Sequence, residues 1–143
     1  MKVKIKLMGG KMPRKAYNTD YCYDCYAREV REIREGVYEY SLGFTLEIDE
    51  LTLLDVSAEL RARSSIHKTG LILSNGVGTG DLSYRGEYKA VFYQVVKGLP
   101  IYKVGDRVCQ LALSIAPKIE FELVEELTDT ERGAGGYGST GNK

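Results

Sequence analysis

Residues 75–87, Asn-Gly-Val-Gly-Thr-Gly-Asp-Leu-Ser-Tyr-Arg-Gly-Glu, gather into one short stretch the side chains most able to do chemistry. Glycines at 76, 78 and 80 alternate with other residues, so the backbone there can take positive φ and approach a ligand closely. Asp81 follows the last of them, Tyr84 stands a little further on, and Arg85-Gly86 comes next. A hairpin of this kind offers main-chain donors and acceptors for a flat polar ring. It also offers one acid to act as a base and one aromatic face for a sugar or a nucleobase. A Gly-rich loop alone is a weak signal, and a surface hairpin with an incidental Asp accounts for the stretch equally well.

Three more fragments could hold phosphate. Ala62-Arg63-Ser64-Ser65 sets an arginine beside two hydroxyls where a strand ends. Gly105-Asp106-Arg107-Val108-Cys109-Gln110 is a second polar fragment, although Asp106 and Arg107 could simply pair on the surface. Arg132 with Gly138-Ser139-Thr140-Gly141 would combine one positive fork with flexible backbone and hydroxyl donors, a good phosphate clamp. The bland alternative there is a disordered tail. Cys22-x-x-Cys25 can be a redox pair or half of a zinc site, but only Cys109 and His67 remain as further ligands, each far along the chain. Buried or half-buried thiols are the simpler reading.

The elements that must position these groups read as strands. Lys2–Leu7 alternates lysine with Val, Ile and Leu, the pattern of a half-buried strand. Residues 27–36 fit either a short helix ended by Gly36 or a charged edge strand or loop. Tyr38, Tyr40, Leu42, Phe44, Leu46 and Ile48 share one parity, and Val56, Ala58, Leu60 and Ala62 repeat it. Residues 88–96 and 108–116 are apolar on both parities, which suits central strands covered on two faces. Ile119, Phe121 and Leu123 close the series as a last strand. Many short strands with Gly-rich turns mean an all-β barrel or sandwich. Residues 128–143 lack any apolar period and cannot fold alone, so the chain divides into a β domain at 1–127 and a C-terminal arm at 128–143.

Composition sets outer limits. A chain of 143 residues is one domain by length. Lys+Arg and Asp+Glu both number 20, so bulk charge gives no reason to expect nucleic acid or membrane as a partner. Phosphate binding must then come from placed residues. Met1–Leu7 does not have the apolar run of an export signal, and three cysteines are an odd number, so reduced thiols in a cytoplasm are expected.

Taken together and in order, the fragments resemble the motifs of the trimeric dUTP diphosphatases, the dUTPases. Ala62–Ser65 matches the family's Pro-Arg-Ser-Ser/Gly, and Gly78–Gly86 matches Gly-x-Ile-Asp-x-x-Tyr-x-Gly. Gly105–Gln110 matches Gly-Asp-Arg-x-x-Gln, and Arg132–Gly141 matches Arg-Gly-x-Gly-Gly-Phe-Gly-Ser-Thr-Gly with Tyr137 in place of Phe. The first motif, Ala-Gly-x-Asp-Leu, is here Tyr21-Cys22-Tyr23-Asp24-Cys25, so only its Asp survives. Ala62 stands for the usual Pro, and Gly80 for the Ile before the acid, a change expected to loosen the segment that aims Asp81.

The resemblance implies a β-clip, or distorted jelly-roll barrel, in a homotrimer with a flexible C-terminal arm. It implies cleavage of dUTP to dUMP and pyrophosphate by water attack on the α-phosphorus, with Mg²⁺ carried on the triphosphate. Asp81 then matches the general base, Ser64 and Gln110 assist at the phosphates, and Asp24 touches the metal through its water shell. Arg63 and Ser65 match further phosphate contacts. Asn75 and Gly78 would read uracil, Tyr84 would lie on the deoxyribose, and Tyr137 would cover the base. Arg132, Gly138, Ser139 and Thr140 would close over the phosphates from another subunit. Localisation would be the cytoplasm, or the host cytoplasm for a viral chain. The rivals are a dCTP deaminase-type relative, which needs a Glu where this chain has Val91, and a nucleotide-gated regulatory protein.

Overall fold

The computed structural model describes residues 2–136. The chain runs through β1 (Val3–Leu7), β2 (Tyr23–Tyr26), β3 (Glu29–Arg34), β4 (Val37–Ser41) and β5 (Phe44–Ile48). It continues through β6 (Leu54–Arg61), a 3₁₀ turn (Ser64–Lys68), β7 (Leu71–Leu73), β8 (Val77–Gly80), β9 (Lys89–Gln94) and β10 (Arg107–Pro117). The strands form three antiparallel sheets: β1-β5, β2-β10-β6-β8 and β3-β4-β9-β7. No helix among the described residues is long and apolar enough to cross a membrane.

The core follows from the shared parity of the middle strands. Tyr40, Leu42, Phe44, Leu46 and Ile48 are all buried, each fully buried apolar side chain contributing roughly 1.5–3 kcal/mol. Tyr40 meets Phe92 edge-on with ring centroids 5.5 Å apart, and Phe44 stacks on Tyr88 at the same spacing. The both-parity runs lie centrally, β9 between β4 and β7, β10 between β2 and β6. In β10 two-sided burial holds for Val108, Cys109, Leu111 and Ala112, whereas in β9 only the face carrying Ala90 and Phe92 is buried.

Strand pairing settles or corrects three expectations. Residues 27–36 contribute a strand, β3, hydrogen-bonded to β4 with Arg31 opposite Glu39 and ion-paired to it at 3.0 Å. Val30 and Ile33 are too thin a stripe for a helix to bury, and Gly36 closes the hairpin at φ 70°. Ile119, Phe121 and Leu123 form no strand. Their side chains are exposed, Leu123 at 99 %; β10 ends at Pro117, and beyond it the segment pairs with none of the described strands. Finally, residues 75–81 do not make a hairpin. β7 pairs with β9 and β8 with β6, so the turn at Asn75-Gly76 is an arch that carries the chain from one sheet to the other.

Candidate active site

The β2-β10-β6 ladder builds the first half of the site. Antiparallel pairing sets Gln110 of β10 opposite Asp24 of β2 on one side and Arg61 of β6 on the other. The chain leaves β6 through Ala62, and Gln110 Nε2 donates to the Ala62 carbonyl at 2.9 Å, pinning that exit. Arg63 follows in extended conformation and leads into the 3₁₀ turn, whose first residues are Ser64 and Ser65.

Asp24 organises the charges. Arg63 Nε donates to its Oδ1 at 2.9 Å, and Arg107 Nη1 donates to its Oδ2 at 2.9 Å. The carboxylate side chain is 15 % exposed, so solvent screens this pair of contacts only partly. Arg63 Nη1 also donates to Ser65 Oγ at 3.2 Å. Two guanidinium groups share the Asp24 carboxylate beside the Ser64 hydroxyl and the Gln110 amide, and Asp20 adds a second carboxylate to the lining. These residues border an open groove of about 350 Å³. Such a set suits a polyanion with bidentate oxygens, a phosphate chain above all.

Arg107 is a site residue that the sequence pattern leaves on the surface, paired with Asp106. Asp106 instead accepts the Lys103 backbone N–H at 2.7 Å and so builds the turn at Gly105 (φ 88°). That frees Arg107 to reach Asp24. Tyr21 and Cys22 also line the groove. The sequence marks Cys22 as half of a Cys-x-x-Cys pair and Tyr21 only by its place beside Asp24.

The second half of the site lies along β8. Only Gly76 among the three alternating glycines has positive φ, at 68°, where the arch turns. The other two are required by close approach. A Cβ on Gly78 would lie 3.2 Å from the Asn75 amide nitrogen. A Cβ on Gly80 would collide with the Tyr88 hydroxyl and lie 2.7 Å from its ring. Gly80 therefore does not loosen the segment; Tyr88 fills the space that a side chain there would take. Burial raises the pKa of the Tyr88 hydroxyl, so it stays neutral near pH 7. Tyr84 sets its ring edge-on to Tyr88 at 5.5 Å and donates from its hydroxyl to the Glu87 carbonyl at 3.0 Å. Asn75, Gly78, Gly80 and Tyr84 border a groove of about 180 Å³. Asp81 sits exposed at the end of β8, its carbonyl accepting the Tyr84 N–H at 3.0 Å.

Within one chain the two grooves share no lining residue. The structure thus brings Asp24, Arg63, Ser64 and Gln110 together, with Ser65 on Arg63, and separately groups Asn75, Gly78 and Tyr84 with Glu87; Asp81 follows β8 and lines neither groove. Arg132 is exposed, and its Nε donates to the nearby Gly135 carbonyl at 2.9 Å, so it joins neither groove. Tyr137, Gly138, Ser139 and Thr140 lie outside the described residues.

For Mg²⁺ the donor set is sparse. Among the described residues no three His, Cys, Asp or Glu side chains cluster as metal ligands. Both oxygens of Asp24 are already held by arginine. That chemistry suits a hydrated cation arriving on a phosphate chain and touched through water, and does not suit a resident ion in an all-protein cage.

Comparison with known proteins agrees with this geometry. A family model described as dUTPase matches residues 9–141. The deoxyuridine 5'-triphosphate nucleotidohydrolase of Clostridium tetani is 31 % identical, the match covering 99 % of this chain and 96 % of that one. Those of Corynebacterium glutamicum (35 % identical, 91 % and 87 % covered) and Saccharomyces cerevisiae (31 %, 99 % and 95 %) are similar. Among solved structures, the Staphylococcus bacteriophage 80alpha dUTPase with dUPNHPP superposes with a TM-score of 0.78 at 22 % identity, covering 98 % of each chain. With a family model spanning nearly its whole length and relatives matched end to end, the chain belongs to the dUTPase family.

Proposed function

We propose that this chain hydrolyses dUTP to dUMP and pyrophosphate, with Asp81 as the general base that takes a proton from the attacking water. The observation that carries the reading is the division of labour between the two grooves. One holds Arg63 and Arg107 fixed on Asp24, and the other is a glycine-lined slot on β8, with Asp81 following that strand's last residue. A carboxylate suits the base because it needs only to accept a proton, and exposure at the end of β8 leaves Asp81 open to water.

Arg63 and Ser64 would hold phosphate oxygens, with Ser64 placed to donate where charge develops on the leaving group. Gln110 anchors the Ala62 carbonyl and so fixes where Arg63 points. Mg²⁺, when bound with the nucleotide and touched by Asp24 through water, would neutralise triphosphate charge. Gly78 and the Asn75 amide, which stand close together, would face the uracil edge and exclude the methyl of thymine. Cytosine would leave buried donors and acceptors unmatched. Tyr84 would lie against the deoxyribose. Because the two grooves are separate in one chain, a full site forms when neighbouring copies in a homotrimer supply complementary halves. The arm at 128–143, with Arg132, Tyr137, Gly138, Ser139 and Thr140, would close over the bound nucleotide.

The test is pyrophosphate release with Mg²⁺ from dUTP, dCTP, dTTP and UTP, for the native chain and for Asp81→Asn. Turnover confined to dUTP and lowered roughly 10²–10⁴-fold by the substitution is expected for the loss of a general base. Unchanged turnover in Asp81→Asn would remove Asp81 from that role. Ammonia release from dCTP would move the reading to deamination, and tight nucleotide binding with no product would move it to a regulatory protein.

A further inference from the structure

We propose that Cys25 and Cys109 are a site of reversible modification, closed by a peroxide into a disulfide that ties β2 to β10 beside Asp24 and Gln110. The two thiols come from opposite ends of the sequence, yet they are direct partners in the β2–β10 ladder. Both are fully buried, and the Cys25 thiol donates to the Tyr23 carbonyl at 3.6 Å. Antiparallel partners have Cα atoms about 4.5 or 5.5 Å apart, depending on the rung, and both spacings fall within the range of disulfides. Ladder partners are thus within the reach of a disulfide. The next rung of the same ladder is Gln110 opposite Asp24, and the register shifts just before Cys109, between it and Arg107. The pair is thus built into the strands that carry Asp24 and Gln110.

Access comes from the edge. β2 is a four-residue strand at the margin of its sheet, and short edge strands open locally at far lower free energy than central ones. The Cys25 thiol opposite it and burial push the Cys109 thiol well up, so thiolate is scarce while the strand is closed and oxidation waits on opening. The step balances as two thiols and one hydrogen peroxide giving one disulfide and two waters. The two S–H bonds and the peroxide O–O bond break, the S–S bond forms, and two electrons pass from sulfur to oxygen. A dithiol reductant reverses it by exchange.

The consequence for activity rests on the dUTP reading above. Asp24 and Gln110 flank the linked sulfurs, and small displacements of positioning groups lower rates steeply. The experiment oxidises the full-length Cys22→Ser chain with hydrogen peroxide, so that the half-buried Cys22 cannot compete. Peptide mapping under non-reducing conditions then reads the linkage. The expected result is a Cys25–Cys109 cross-linked peptide that disappears with dithiothreitol and is absent from Cys109→Ala. Pyrophosphate release by the oxidised chain should be at least ~10-fold below that of the same chain after reduction. Absence of the linked peptide would overturn the site, whatever the chain does with dUTP. A linked chain with full turnover would overturn its coupling to the site. The reduced chain assayed alongside tests the dUTP reading separately.

Discussion

Gly80 shows how a single atom decides a strand's packing. With no Cβ, it admits the Tyr88 ring, and Tyr88 in turn stacks on Phe44 in the core and receives the edge of Tyr84. The end of β8, just before Asp81, is therefore packed against a chain of aromatic contacts. Gly80→Ile would force the Tyr88 ring out and is expected to destabilise the fold by roughly 1–3 kcal/mol in denaturant unfolding. Combining it with Tyr88→Ala should cost less than the sum of the two single changes, since the clash is shared. Strict additivity would show that the two residues do not compete for one space. Asp24 works at the same scale. Its worth lies in fixing two guanidinium groups in a defined geometry, because partly buried ion pairs add little net stability.

Among elements, the arch at Asn75-Gly76 and the segment after β10 matter most. The arch delivers β8 to the sheet that also carries β6, so the slot and the exit toward Arg63 grow from neighbouring strands. Residues 118–136 carry no strand or helix, and Phe121, Leu123 and Leu127 are largely exposed. Residues 128–134 are exposed as well, so truncation after Leu127 is expected to leave the thermal midpoint within ~2 °C while abolishing pyrophosphate release. Loss of cooperative unfolding on truncation would show that the arm belongs to the fold.

At the level of the whole molecule, the proposed site is completed by neighbouring copies of the chain. Light scattering of the native protein is expected to give three times the 16.0 kDa chain mass. A monomer with full turnover would mean that one chain completes the site alone. The core adds a pH limit. Burial raises the pKa of the Tyr40, Tyr88 and Tyr102 hydroxyls, so above pH ~10 the unfolded chain releases protons that the folded one keeps. Stability is then fully present below pH ~10 and falls as pH climbs toward the folded-state values. Base titration should show phenolate absorbance of these tyrosines rising together with unfolding. Phenolate formation in the intact fold at pH ~10 would contradict their burial.

Much is legible in the sequence because it is local. Period-two alternation marks β1, β4, β5 and β6, and both-parity runs mark the central places of β9 and β10. The order of short polar motifs points to the family by itself. Which strand lies beside which is a long-range matter that local pattern does not encode. The same alternation at 119–123 pairs with none of the described strands, and the glycines of 76–80 read as a hairpin though their neighbours belong to different sheets. Arg107 joins the site only because the turn at Gly105 takes Asp106 for itself. Cys25 meets Cys109 only because β2 and β10 pair in one register. Side-chain pattern determines that strands form, whereas contacts between residues distant in the chain depend on closing the whole barrel.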